Sequence, residues 1–89
     1  MTASSKKRLT DEYLNEIEHR LKGTTGGPWT SFAEGRDHTS GSSFIRTAAC
    51  DIELSGATVA DQDFIAHARQ DIPLLIGEVR RLRAVLGSK

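Results

Sequence analysis

The sequence has a single cysteine and no excess of positive or negative charge, and each of these features excludes a class of protein. One cysteine, Cys50, stands among 89 residues, so an intrachain disulfide is impossible and a reducing, cytoplasmic compartment is expected. No apolar run approaches the roughly 18 residues that a membrane helix needs. None follows the basic segment Lys6-Lys7-Arg8 either, so we expect no secretory leader and no membrane partner.

The charges balance, with 12 lysines and arginines against 12 aspartates and glutamates. A domain that binds duplex DNA usually carries a basic excess, so duplex nucleic acid is not expected as a partner. A hydrophobic fraction of 37% is that of a folded chain and not of a disordered one. We interpret residues 1–9 as a basic flexible tail and residues 10–89 as a single domain.

Two helices are predicted, one at each end of the domain. Thr10 can cap a helix over residues 11–22 that ends at Gly23, and Thr58 can cap a second one. An apolar stripe at helical spacing follows Thr58, and Pro73 interrupts it, so either the helix kinks or Asp71 caps a further helix. The stripe consists of Phe64, Ala68, Ile72, Leu75, Val79, Leu82 and Leu86.

Residues 29–34, 43–47 and 51–55 have the composition and alternation of strands. Their connections are too short for crossover helices, which favours an antiparallel meander. The predicted fold class is therefore α+β, in two layers, with an N-terminal helix, a three-stranded antiparallel meander and a long or Pro-kinked C-terminal helix. We expect Cys50, beside the third strand, to be a small core residue.

The connection between the first two predicted strands holds an unusual density of hydrogen-bonding groups. Arg36 offers a planar fork for phosphate or carboxylate, and Gly35 and Gly41 let backbone N–H groups approach an anion. Such a loop suits a phosphate- or ribose-bearing ligand, although a solvated hairpin loop has a similar composition. The candidate ligand-binding residues here are Glu34, Arg36, Asp37, His38, Thr39, Ser40, Ser42 and Ser43.

Three further candidates lie outside this loop. Trp29 follows Gly-Gly-Pro and either caps the core or stacks on a base. On the second helix, His67 lies between two aspartates at steps of four, and Arg69 lies on another face. This spacing fits either a metal site or local helix electrostatics. Because there is no HExxH motif and no cysteine pair, we expect no metal and no cofactor.

Catalysis is not expected from these residues. Asp37 and His38 form the one tempting acid–base pair, but neighbours in a loop often point apart. A small core without disulfides, together with the length of the apolar stripe, favours a homo-oligomer, with a ligand site near the subunit boundary.

Three segments of the sequence resemble a group of short, largely uncharacterised bacterial, prophage and phage proteins. They are Gly27-Pro28-Trp29, EGRDHTSGSSFI at residues 34–45 and ADQDFIAHARQDIPLL at residues 60–75. The resemblance covers about residues 10–86. Small phage proteins of this kind are similar to counter-defence sponges, which bind nucleotide second messengers of bacterial immunity without cleaving them.

The resemblance implies a non-enzymatic binding protein that sequesters a cyclic oligonucleotide or a cyclic ADP-ribose type of molecule. The alternative is a small protein–protein interaction module, such as an immunity or inhibitor protein.

Overall fold

The computed structural model describes residues 9–87, so residues 1–8 of the predicted basic tail lie outside the described part. The predicted α+β fold is confirmed. An N-terminal helix is followed by a three-stranded antiparallel sheet and a long C-terminal helix. The elements are α1 (Asp11–Lys22), β1 (Thr30–Phe32), β2 (Phe44–Arg46), β3 (Asp51–Ile52) and α2 (Val59–Gly87).

Both predicted helix starts are confirmed by their hydrogen bonds. The Thr10 side chain accepts from the Tyr13 N–H at 3.0 Å, which caps α1. At the start of α2, the Asp61 N–H donates to Thr58 Oγ1 at 3.0 Å, and the Thr58 N–H donates to Asp61 Oδ2 at 3.1 Å. This reciprocal pair satisfies two N–H groups that a helix start otherwise leaves unpaired.

Helix α1 lies antiparallel along the second half of α2. Two ion pairs set this direction: Arg80 binds Glu18 at 2.9 Å and Arg83 binds Asp11 at 2.6 Å. Leu14 of α1 is buried beside them, at 2% exposure. No helix in residues 9–87 is long and apolar enough to cross a membrane.

The strands pair in the order β1-β2-β3, with Phe32 opposite Phe44 and Ile45 opposite Ile52. Ile45 is fully buried and faces α2, so alternation places its neighbours Phe44 and Arg46 on the outer face of the sheet. Each strand is shorter than predicted. Strand β1 ends at Phe32 because the next N–H, from Ala33, donates to the Asp37 carboxylate and turns the chain into the loop.

Helix α2 is continuous over 29 residues, with Pro73 inside it. The alternative in which Asp71 caps a separate helix is therefore wrong. At about 1.5 Å per residue, α2 is about 43 Å long, whereas a three-residue strand spans about 10 Å. Much of α2 consequently extends past the sheet.

The predicted apolar stripe is not the face of α2 that covers the sheet. Phe64 is 74% exposed and Leu75 is 62% exposed, whereas Gln62 and Ala66 are buried. The Gln62 side chain hydrogen-bonds to the first two strands, and this contact sets the rotation of the helix. Phe64, two residues further on, then points about 200° away from Gln62.

Cys50 is exposed, so its expected place in the core is wrong. It lies in the turn between β2 and β3, where Thr47 Oγ1 accepts from the N–H groups of Ala49 and Cys50, each at 3.1 Å. These bonds fix the turn backbone, and the thiol is left at the surface.

The Gln62 amide is the main polar contact between α2 and the sheet. Its Nε2 lies 2.8 Å from Ser31 Oγ, 3.2 Å from the Phe32 carbonyl and 3.1 Å from the Phe44 carbonyl. Replacing Gln62 with methionine keeps the volume but leaves buried acceptors unpaired. We expect the free energy of unfolding to fall by about 2–3 kcal/mol, measured by urea denaturation at fixed protein concentration.

A substitution at Gly77, on the same helix, is expected to raise the free energy of unfolding instead of lowering it. A Cβ built at Gly77 meets nothing within 4 Å, and the residue lies inside α2. Gly77→Ala should raise the free energy of unfolding by about 0.5–1 kcal/mol, because alanine loses less backbone entropy in a helix. A loss of stability in the same urea experiment would show that this turn of α2 is not helical.

Candidate functional site

Arg36 fastens the β1–β2 loop to α2. Its Nη1 and Nη2 donate to the two carboxylate oxygens of Asp63 at 2.9 and 3.2 Å, and its Nε donates to Asp37 at 2.9 Å. This is the bidentate geometry that arginine and carboxylate favour. The fork predicted to bind a ligand phosphate is therefore directed at two aspartates of the same chain, and it positions the loop.

These contacts shift the acid–base equilibria of all three groups. The hydrogen bond from Arg36, helped by one from Ser31, lowers the pKa of Asp63 from its ordinary 3.8 to about 2. Arg36 is also the main cause of the lowered pKa of Asp37, followed by the Ala33 N–H. The two carboxylates in turn raise the pKa of the Arg36 guanidinium. Arg36 therefore lies between two ionised aspartates, Asp37 in the loop and Asp63 on α2.

Two glycines allow the loop to turn sharply. Gly35 has a φ of 87° and Gly41 a φ of 93°, which L side chains rarely adopt. The Gly35 N–H donates to the His38 carbonyl at 2.7 Å. At the ends of the loop, the Glu34 N–H donates to Ser43 Oγ at 3.1 Å. The loop is thus a hydrogen-bonded structure rather than a simple solvated turn.

His38 lies at the inner side of the loop with one ring nitrogen unpaired. Its Nδ1 is 2.7 Å from the Ser40 carbonyl, and since a carbonyl can only accept, Nδ1 donates. In the neutral ring, Nε2 is then an acceptor. Nε2 is buried and has no hydrogen-bond partner among residues 9–87. It thus lacks the hydrogen bond that most buried polar atoms make.

The outer face of the sheet carries an aromatic pair that the sequence analysis did not select. The rings of Phe32 and Phe44 stack with centroids 5.2 Å apart and 19° between their planes. The guanidinium of Arg46 lies over both rings, 5.1 and 5.3 Å from their centroids, and also reaches Asp51 at 3.4 Å. The alternation of strand residues was the signal that could have revealed this pair.

The loop and the aromatic pair together form one recess, which we call the outer-face recess, with a volume of about 390 Å³. This is within the range of small-molecule sites. Stacking surfaces, a guanidinium, hydroxyls and carboxylates all face the same space. Its lining residues are Phe32, Asp37, His38, Ser40, Gly41, Ser42, Phe44, Arg46, Asp51 and Glu53.

The structure places the predicted site residues in several different parts of the molecule. Asp37, His38, Ser40 and Ser42 line the outer-face recess. Thr39 is exposed in the loop, Glu34 and Ser43 join the ends of the loop, and Arg36 holds it to α2. Trp29 and Arg69 lie elsewhere, in a groove between α1 and α2. His67 is exposed on α2 and lines neither the recess nor this groove.

Trp29 has the contacts of a residue that caps the core. Its Nε1 donates to the Thr25 carbonyl at 3.0 Å. Gln70 accepts from the Trp29 N–H at 2.6 Å and donates to the Trp29 carbonyl at 3.2 Å. The start of β1 is thereby fixed to α2 at the end of the strand opposite to the loop, so Trp29 does not share a site with the loop hydroxyls.

The residues considered for metal binding and for catalysis are not assembled into either kind of site. In residues 9–87 no three His, Cys, Asp or Glu side chains are grouped to hold a metal ion. The Asp37 carboxylate binds Arg36 and the Ala33 N–H, and the His38 Nδ1 binds the Ser40 carbonyl. Asp37 and His38 therefore lack the hydrogen bond that an acid–base dyad requires.

Comparison of the chain with protein-family models, with curated proteins and with solved structures gives no match.

The Arg36–Asp63 pair predicts an acid-sensitive stability. Because the pKa of folded Asp63 is depressed to about 2, the contribution of the pair is complete above the ordinary value of 3.8 and is lost as the pH falls towards 2. Both side chains are partly exposed, so the effect is modest. We expect Asp63→Asn to flatten the fall of the urea midpoint over this pH window. The matched control Asp71→Asn, on the same helix, should keep the wild-type profile.

Proposed function

We propose that this protein binds a nucleotide-derived small molecule in the outer-face recess and holds it without changing it chemically. The observation that carries the proposal is the Phe32–Phe44 stack under the Arg46 guanidinium, next to the loop of His38 and Ser40. Nucleobases stack on aromatic rings and on guanidinium planes. The hydroxyls and backbone of the loop are suited to a ribose.

The groups around the stack define the part of the nucleotide that fits best. Asp51 and Glu53 line the recess and can accept from ribose hydroxyls. Ser40 and Ser42 can donate or accept. The recess therefore has more partners for a base and its sugar than for a chain of phosphates.

The charge of the recess narrows the ligand class further. Arg46 is its one lining cation, against the carboxylates of Asp37, Asp51 and Glu53. Asp37 is paired with Arg36, and Arg46 itself reaches Asp51 at 3.4 Å, so the recess has one cation for phosphate and an excess of carboxylates. This balance favours a molecule with two phosphates, such as a cyclic ADP-ribose isomer or a cyclic dinucleotide, over a cyclic trinucleotide with three.

The biological role that we propose is sequestration of such a signal, which would antagonise bacterial immunity. The resemblance of residues 34–45 and 60–75 to phage and prophage proteins supports it. The separate hydrogen-bond partners of Asp37 and His38 support binding without catalysis.

Calorimetry with the purified protein tests the proposal, using a panel of cyclic ADP-ribose isomers, cyclic dinucleotides and cyclic trinucleotides. We expect the ligands with two phosphates, the ADP-ribose isomers and the cyclic dinucleotides, to bind more tightly than the cyclic trinucleotides. Phe44→Leu keeps an apolar side chain but removes the stacking surface, so it should weaken binding about 5-fold or more. The matched control is Phe64→Leu, because Phe64 is an exposed phenylalanine on α2, outside the recess.

Two results would contradict the proposal. Absence of binding across the whole panel would remove the nucleotide ligand. Mass spectrometry of the bound ligand after denaturation of the complex tests the second part, since recovery of a chemically altered molecule would identify an enzyme.

A further inference from the structure

An apolar trough runs along the two helices, on a side of α2 that does not cover the sheet. Two adjoining grooves, with volumes of about 250 and 200 Å³, share Ile17 of α1 and Ile72 of α2 and so form one continuous feature. Leu21 and Ile65 line one groove, and Leu75 lines the other. None of these residues lines the outer-face recess.

The trough continues into exposed leucines further along α2. Leu75 is 62% exposed, Leu82 45% and Leu86 71%. With Ala68, Ile72 and Val79 they alternate at steps of four and three residues, the spacing of a helix that packs along another helix. A surface of this kind is much larger than the scattered exposed leucines of an ordinary monomer.

The isolated chain covers little of its apolar surface. The buried apolar side chains of the described residues are few, and two are alanines: Leu14, Ala33, Ile45, Ala66 and Ile76. The radius of gyration is 16.7 Å, compared with about 12 Å for a compact domain of this length. Such an elongated chain with so small a core needs additional apolar burial to be stable.

We propose that the trough is covered by a second copy of this chain, with the α1–α2 layers of two protomers packed face to face as a two-fold, four-helix dimer. A pair of helices joined side by side buries one face of each helix and leaves another open. Two such layers bury the open faces against each other, as in a four-helix bundle.

The charges along both helices match a second copy. Helix α1 is acidic in its first turn and basic in its last. Residues 59–73 of α2 carry three aspartates and one arginine, whereas residues 74–87 carry one glutamate and three arginines. Since α1 and α2 are antiparallel, a two-fold axis between the layers places each acidic helix end opposite a basic one, whether α1 packs on α1 or on α2 of the partner. Arg80 and Arg83 already pair with Glu18 and Asp11 of their own protomer, so these charges add little affinity. They favour a second copy because neither packing brings like charges together.

The size of the surface is at the lower limit for a dimer. Residues 65–86 of α2 are about 32 Å long, whereas α1 has 12 residues and is about 18 Å long. At about 10 Å per helix, the layer offers about 500 Å² per protomer, or about 1,000 Å² for the pair, which is about the smallest area of a specific interface.

Light scattering of the full chain across a dilution series tests the proposal. We expect a mass of twice 9.7 kDa at high micromolar concentration. Leu75→Glu should raise the dissociation constant of the dimer about 100-fold or more, because each interface would then contain two buried carboxylates. Leu74→Glu is the matched control. Leu74 is 71% exposed but lies about 100° further around α2, so this variant should remain dimeric.

If Leu75→Glu fails to fold, thermal unfolding of the wild-type protein at several concentrations tests the dimer instead. The wild-type midpoint should rise with protein concentration, as it does for a dimer that unfolds to monomers. A monomeric mass for the wild type at high micromolar concentration would overturn the proposal, and so would dissociation by Leu74→Glu to the same extent as by Leu75→Glu. The recess and the trough share no residue, so Phe44→Leu should leave the dimer intact. In this dimer the ligand site lies away from the subunit boundary, whereas the sequence led us to expect a site near that boundary.

Discussion

The amide of Gln62 is the contact on which the arrangement of the other elements depends. It is 3% exposed and lies against acceptors from both β1 and β2. A buried amide must satisfy its hydrogen bonds, so the helix cannot rotate or slide without a large cost in free energy. Two turns later on α2, the Gln70 amide likewise binds the backbone N–H and carbonyl of Trp29. Two glutamines thus determine which side of α2 faces the sheet.

This rotation explains why the chain has two separate surfaces. The sheet takes up the Gln62 and Ala66 side of α2, and the leucines point elsewhere. The outer face of the sheet has no helix over it, so Phe32, Phe44 and Arg46 are left as a patch with their own internal contacts. The rotation of α2 therefore leaves one apolar surface on the helices, and the uncovered outer face leaves another on the sheet.

Local signals in the sequence predicted the elements well, and contacts between distant residues were predicted poorly. Thr10 and Thr58 act through groups within three residues of themselves, so the helix starts could be predicted. The stripe of apolar residues was taken as the core because leucine and phenylalanine usually are. The buried position of Gln62 depends on carbonyls 18 and 30 residues away. No periodicity in the sequence contains that information.

In the candidate site, too, features with local sequence signals were predicted and contacts between distant residues were not. The loop was recognised from its density of polar groups, and four of its predicted residues do line the recess. The role of Arg36 could not be foreseen, because its partner Asp63 is 27 residues away. The aromatic pair requires the register that sets Phe32 opposite Phe44.

The exposed position of Cys50 gives this chain a single natural attachment point for a chemical probe. The thiol is accessible, it is the one sulfhydryl in the sequence, and the next residue, Asp51, lines the outer-face recess. A thiol-reactive fluorophore would therefore attach at one known place, directly beside the space that a ligand would fill. Occupancy of the recess could then be followed by fluorescence in the unmutated protein.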